Sequence, residues 1–167
     1  MSQRTRLIWR ANVGCMPAIA RNPVFRLARD ESASADKPAE PQAPILVVED
    51  DFLVAMQIEA ALTEAGYALT GTAASGEEAI AMAAAIRPVL VLMDIRLAGK
   101  MDGVDAALVL FREHGIRCIF ATAHHDPEVL RRAAPAEPLG WLAKPYAIPA
   151  MLAAVRQGLV DLEADSA

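Results

Sequence analysis

The sequence predicts an α/β protein in which a parallel β-sheet is covered by helices on both faces. From residue 45 onward, strand-like and helix-like segments alternate five times with short connections, which is the order typical of such a sheet. The chain has 167 residues, of which 54% are hydrophobic and 22% charged. This length suits one domain, and this composition supplies enough apolar side chains for one core.

The predicted strands are short runs of mostly apolar residues. Strands of a parallel sheet are buried on both faces, and their sequences therefore tend to be continuously apolar. Five segments fit this description, at residues 45–48, 68–73, 89–93, 117–121 and 139–142. The first and third are the clearest.

The segments between the strands have the signals of helix starts and stops. Helices are predicted at residues 52–65, 76–86, 103–114, 127–134 and 148 to about 160. Ser75 and Glu78 form a capping box at the start of the second helix. Gly66 and Gly115 suit left-handed helix ends, and Pro127 suits the first turn of the fourth helix.

Charge and composition divide the chain near residue 44. Residues 1–44 contain seven basic and four acidic residues, whereas the rest contains nine basic and seventeen acidic ones. We predict that residues 1–43 are a disordered basic extension ending in a Pro/Ala-rich linker. A targeting segment, a tail that touches a partner or a membrane surface, and coding sequence upstream of the true start remain alternatives. The folded domain is predicted at residues 44–161, with a short tail at 162–167.

Two further features concern the cellular compartment. No run approaches the roughly 18 uninterrupted apolar residues that a membrane helix requires. The two cysteines, Cys15 and Cys118, are 103 positions apart and indicate no disulfide framework. We therefore expect a cytoplasmic protein without a membrane span.

Polar residues follow the predicted strands at the edge of the sheet where ligands bind in open parallel sheets. These residues are Glu49, Asp50 and Asp51 after the first strand, Asp94 after the third, Thr122 after the fourth and Lys144 shortly after the fifth. Converging carboxylates repel one another, so a cation must offset their charge. Lys144 supplies one positive charge, and a site of oxygen ligands suits Mg²⁺.

Four blocks of sequence carry a family resemblance. ILVVEDD, VLMDIRLAGKMDG, IFATA and WLAKPY occur in this order, and together the sequence resembles the receiver domain of bacterial two-component response regulators over residues 44 to about 160. The resemblance implies a flavodoxin-like, doubly wound (βα)5 fold with strand order 2-1-3-4-5.

The resemblance also implies a phosphorylation site. Asp94 corresponds to the aspartate that accepts a phosphoryl group from the phosphohistidine of a histidine kinase. Glu49 and Asp50 correspond to the acids that hold Mg²⁺, together with Asp94 and the backbone carbonyl of Arg96. Asp51 falls one position beyond the acidic pair, and we expect it to cap the first helix.

Three residues near the fifth strand complete the implied site. Lys144 resembles the family lysine that pairs with the acid and then with phosphoryl oxygen, and Thr122 would donate its hydroxyl to the same group. Pro145 resembles the family's cis proline. Trp141 occupies the position of the aromatic switch residue whose rotamer follows Thr122, although a purely structural filling role remains an alternative.

The predicted function is that of a phosphoacceptor switch without turnover of an external substrate, and therefore not an enzyme. Its partners would be a sensor histidine kinase or a histidine phosphotransfer protein, and a downstream protein at the face of helix 4, strand 5 and helix 5. No effector domain and no direct DNA binding are expected. The alternative is a protein-binding module of the same fold that works without phosphorylation.

Overall fold

A computed structural model describes residues 43–123 and 126–167 and contains one parallel sheet of five strands. The strands are β1 (Pro44–Val48), β2 (Ala68–Ala73), β3 (Leu90–Asp94), β4 (Arg117–Thr122) and β5 (Gly140–Ala143). Their order in the sheet is β2-β1-β3-β4-β5, as predicted. The predicted N-terminal extension falls outside the described residues up to position 42 and stays a prediction.

Five α-helices alternate with these strands. They are α1 (Phe52–Glu64), α2 (Gly76–Ile86), α3 (Gly103–His114), α4 (Pro127–Ala133) and α5 (Ile148–Asp165). A 3₁₀ turn at Ala134–Ala136 follows α4 directly. Pro135 lies in this turn, where a proline disfavours continued α-helix. Among the described residues, no helix is both long and apolar enough to cross a membrane.

The helices cover both faces of the sheet, as the sequence predicts. One apolar cluster joins α2, α3 and α4 to one face and includes Phe120 and Leu110. The other cluster joins α1 and α5 to the opposite face through residues such as Ile58 and Met151. These four side chains are at most 3% exposed. Helices therefore cover both faces of the sheet, and the polar residues at the strand ends lie at its edge.

The predicted caps of α1 and α2 are present, except that the Glu78 carboxylate of the predicted capping box accepts from the backbone N–H of Ala74, at 2.8 Å, and not from that of Ser75. Asp51 Oδ1 accepts hydrogen bonds from the backbone N–H groups of Leu53 and Val54, at 2.9 and 3.2 Å. Ser75 Oγ accepts one from the backbone N–H of Glu78 at 3.2 Å. Such caps satisfy donors that would otherwise lack partners at a helix start. They fix where α1 and α2 leave the sheet.

The predicted end of the last helix near residue 160 is wrong, because α5 continues to Asp165. The additional turn keeps Leu162 packed against the apolar cluster under α1 and α5. It also brings Asp165 Oδ2 to 2.6 Å from Arg117 Nη1 at the start of β4. The segment predicted as a tail is therefore mostly helical.

Candidate functional site

The strand register brings Glu49 and Asp94 to the same level of the sheet. Val48 lies opposite Met93 in the pairing of β1 with β3. The next residue on each chain segment is an acid, so both carboxylates emerge at the carboxyl edge of adjacent strands. Asp94 is the last residue of β3, and Glu49 follows β1 directly.

The pairing of β4 with β5 brings Thr122 and Lys144 to the same edge. Thr122 lies opposite Ala143, and the backbone N–H of Lys144 donates to the carbonyl of Thr122 at 2.7 Å. The Lys144-Pro145 peptide bond is cis, as predicted. Asp94 lies on the other side of β4, opposite Ala121, which places these elements around one crevice.

Lys144 binds both acids. Its Nζ lies 2.6 Å from Glu49 Oε2 and 2.8 Å from Asp94 Oδ2. The side chains of Glu49 and Asp94 are 4% and 10% exposed, whereas that of Lys144 is 24% exposed. One partly accessible cation therefore bridges two carboxylates that water reaches poorly, and it offsets only part of their negative charge.

Burial and charge act in opposite directions on the pKa values of this cluster. Burial is the largest effect on Glu49 and raises the pKa of its carboxyl, while the hydrogen bond from Lys144 opposes that effect. Burial alone would lower the pKa of Lys144, but the hydrogen bonds and charges of Asp94 and Glu49 outweigh it and raise the pKa. The ammonium is thus held in its charged form by the acids around it.

The acids can also share a metal ion. One carboxylate oxygen from each of Glu49, Asp50 and Asp94 lies within 4.8 Å of the others. Asp50 is exposed, whereas the other two acids are buried. Carboxylate oxygens with open solvent on one side fit Mg²⁺, which prefers oxygen ligands and keeps several waters. The donor set therefore fits the ion that the sequence predicts.

A cleft of about 540 Å³ opens directly above Asp94 and Lys144. Thr122, which is 6% exposed, and Arg96 both line it. The backbone N–H of Arg96 donates to Asp94 Oδ1 at 3.2 Å. The structure thus brings Arg96 to the site, while the role of its carbonyl as a metal ligand stays a prediction.

Trp141 belongs to β5 and is not among the residues that line the cleft. Its ring stacks on Phe120, with ring centroids 4.9 Å apart and an angle of 26° between the planes. Phe120 and Trp141 are opposite each other in the pairing of β4 with β5. The indole therefore packs on Phe120 of the neighbouring strand, two residues before Thr122. In this position it contacts the core and remains partly exposed.

Asp126 and Val129 also line the cleft, although neither was predicted from the sequence to belong to the site. Asp126 caps α4, because its Oδ1 accepts from the backbone N–H of Glu128 at 2.9 Å. An acid directly before Pro127 is a recognisable helix start. The sequence could therefore have indicated the cap, but not that the start of α4 faces Asp94.

Comparison with known proteins gives a consistent result. The family model of the response regulator receiver domain matches residues 45–156. The transcriptional regulatory protein PdtaR of Mycobacterium tuberculosis is 32% identical over 111 residues, covering 66% of this chain and 54% of PdtaR. The phyllosphere-induced regulator PhyR of Methylorubrum extorquens is 33% identical over 130 residues, covering 77% of this chain and 48% of PhyR. The chain thus spans about half the length of these relatives.

A solved structure agrees in fold and sequence. The signal receiver domain of a modulated diguanylate cyclase from Desulfovibrio desulfuricans superposes with a TM-score of 0.69 and 33% identity. The match covers 74% of this chain and 98% of that domain. The fold, the site at the carboxyl edge of the sheet and these similarities together show that the chain belongs to the response regulator receiver domain family.

Proposed function

We propose that this protein is a phosphoacceptor switch in which Asp94 receives a phosphoryl group from the phosphohistidine of a histidine kinase or a histidine phosphotransfer protein. The observation that carries the proposal is the contact of Lys144 Nζ with both Asp94 and Glu49 beneath an open cleft. A carboxylate that is already ionised needs no base to act as a nucleophile. Family membership supports the same assignment.

In this reaction a carboxylate oxygen of Asp94 forms a bond to phosphorus while the bond between phosphorus and the donor imidazole nitrogen breaks. The electron pair of that bond stays on the imidazole. Catalysis rests on alignment and charge neutralisation. A Mg²⁺ ion held by Glu49, Asp50 and Asp94 would supply positive charge next to the transferred oxygens.

Lys144 and Thr122 would hold the phosphoryl group once it is attached. The ammonium already lies 2.8 Å from Asp94 Oδ2 and would exchange part of its contact with Glu49 for phosphoryl oxygen. Thr122 lines the same cleft and would donate its hydroxyl. A shift of Thr122 would also affect the packing of Trp141, because Trp141 stacks on Phe120, two residues before Thr122 on β4.

Exposed apolar side chains next to the acids suit a phosphodonor surface. Phe52, Leu53 and Met56 lie on the first turns of α1 and are 73%, 69% and 50% exposed. We infer that a helix of the donor protein packs on these residues and thereby places its phosphohistidine over the cleft. Because donor proteins of this kind are rephosphorylated from ATP, we also infer a cytoplasmic location.

The downstream partner would bind the surface formed by α4, β5 and α5. Two elements of this surface adjoin the cleft, since Val129 of α4 lines it and Lys144 directly follows β5. A change at Asp94 would therefore reach this surface over a short distance. We propose that phosphorylation acts by changing the affinity of this surface for a protein.

The test uses acetyl phosphate, or beryllofluoride as a phosphoryl mimic, with and without Mg²⁺. We expect the full-length wild type to gain one phosphoryl mass with acetyl phosphate, and we expect Asp94→Asn to gain none. Asp126→Asn is the matched control, because it removes another carboxylate that lines the same cleft. This control should still be phosphorylated.

Two outcomes would overturn the proposal. One is a wild type that remains unmodified under conditions in which Mg²⁺ binding is detected. The other is a modification that persists in Asp94→Asn. An unmodified wild type whose partner binding survives in Asp94→Asn would instead favour the phosphorylation-independent binding module.

A further inference from the structure

Arg132 of α4 pairs with two acids at the beginning of α3. Its Nη2 lies 2.9 Å from Asp102 Oδ2 and 3.0 Å from Asp105 Oδ1. Both acids belong to the beginning of α3, where Asp102 is the cap residue and Asp105 lies in the first turn. The neighbouring Arg131 differs, because its partner Glu128 belongs to α4 itself. Arg132 is thus an ionic link between α4 and α3.

The beginning of α3 is in turn packed tightly on the proposed phosphoacceptor. The backbone N–H of Gly103 donates to the carbonyl of Ile95 at 2.9 Å. A Cβ atom at Gly103 would lie 1.9 Å from the backbone oxygen of Asp94. No side chain fits there, so the α3 cap and the backbone of Asp94 are in direct contact. A movement of one must be accommodated by the other.

The other end of α4 lines the cleft above Asp94. Asp126, which caps α4, and Val129, in its first turn, both face this cleft together with Thr122. A phosphoryl group added to Asp94 would enter this space, next to the first turn of α4. Arg132 holds the next turn of the same short helix to the α3 cap. The helix is therefore restrained at one end and adjoins the reacting group at the other.

We propose that Arg132 is a positioning residue that latches α4 in its unphosphorylated position, so that phosphorylation of Asp94 must act against the Arg132 ion pairs. This inference rests on the proposed phosphoacceptor function and concerns the regulation of that site. The latch sets the fraction of molecules in which α4 occupies its unphosphorylated position. Weakening it would make the phosphorylated conformation easier to reach.

The expected effect is modest because the ion pairs are partly exposed. The side chains of Arg132, Asp102 and Asp105 are 37%, 35% and 52% exposed. Exposed pairs of this kind change equilibria by factors of about two to five. Salt should weaken them further, since the screening length falls to about 3 Å at 1 M ionic strength. The latch thus biases the switch without locking it.

The test is a beryllofluoride titration of the full chain at saturating Mg²⁺, followed by Trp141 fluorescence in a Trp9→Phe background. We expect Arg132→Gln to lower the beryllofluoride concentration at half-saturation about two- to fivefold at low salt, and this difference should shrink at 1 M salt. Arg131→Gln is the matched control and should titrate like the parent protein. Asp105→Asn should give a smaller shift in the same direction, and combining it with Arg132→Gln should add little.

The outcomes separate this inference from the proposed function. A parent protein that gives no beryllofluoride response contradicts the phosphoacceptor function itself. A normal response in which Arg132→Gln and Arg131→Gln titrate alike overturns the latch alone. If Arg132→Gln does not fold, an unshifted titration of Asp105→Asn overturns the latch equally. An effect of Arg132→Gln that is independent of salt would also contradict it.

Discussion

Replacing Lys144 by methionine removes the cation that joins two buried carboxylates. Methionine keeps most of the length of the lysine side chain, so the change mainly removes charge and hydrogen bonds. Glu49 and Asp94 would then face each other without a positive charge between them. We expect the variant to be less stable than the wild type at neutral pH without divalent ions, and to recover stability when Mg²⁺ is added.

The size of the effect follows from the geometry. The nearest carboxylate oxygens of Glu49 and Asp94 lie within 4.8 Å of each other, and two unit charges at that separation repel by about 3 kcal/mol at an effective dielectric constant of 20. Breaking a fully buried ion pair costs about 3–5 kcal/mol. The Lys144 side chain is 24% exposed, so water can partly replace it and the expected loss is about 2 kcal/mol. In a domain of this size that loss lowers Tm by about 6–10 °C.

The assay is thermal unfolding of the full chain, followed by circular dichroism at pH 7 with EDTA and again with MgCl₂. Lys100→Met is the control, because Lys100 is exposed in the loop between β3 and α3. The double variant Lys144→Met/Asp94→Asn should regain stability without Mg²⁺, since only one of the two buried carboxylates remains. If Lys144→Met unfolds at the wild-type temperature in EDTA and shows no greater gain with Mg²⁺ than Lys100→Met, the charge-balance reasoning is refuted.

Three other predictions concern different parts of the protein. Burial raises the pKa of Glu49 above its ordinary value of 4.5, so ionisation of its carboxyl destabilises the folded state increasingly as the pH rises above 4.5. The stability of Glu49→Gln relative to the wild type should therefore increase between pH 4 and 7 in EDTA, as measured by urea unfolding. Gly103→Ala must displace backbone, since its Cβ would lie 1.9 Å from Asp94 O; a loss of several kcal/mol is expected, and a wild-type urea midpoint would contradict it. Burial raises the pKa of Cys118 to about 12, so in a Cys15→Ser background its thiol should react with a thiol reagent at pH 8 only at the rate of unfolding.

Much of the fold could be predicted because its signals are local. The apolar runs of β1 and β3 and the helix starts at Asp51 and Ser75 depend on neighbouring residues only. The polar strand ends likewise indicated which side chains meet, because the carboxyl ends of parallel strands share one edge. Glu49, Asp94 and Lys144 are together in the structure for this reason.

The features that escaped prediction depend on distant partners. The end of α5 is set in part by Asp165 meeting Arg117, which is 48 positions earlier. The link from Arg132 to Asp102 spans 30 positions and has no periodic signal in the sequence. The position of Asp126 at the cleft depends on how α4 packs, which a cap motif does not determine. Such contacts become visible only when the elements are placed in three dimensions.

The ion pairs of Lys144 join residues that are 95 and 50 positions apart. Glu49 and Asp94 are made well before the lysine during synthesis, so a nascent chain that ends before β5 contains both acids without their cation. Non-local contacts of this kind form late because the intervening chain must first be ordered. The site is therefore completed only when the last strand is added, and truncated chains that lack β5 should not form the Lys144 ion pairs or accept a phosphoryl group as the full domain would.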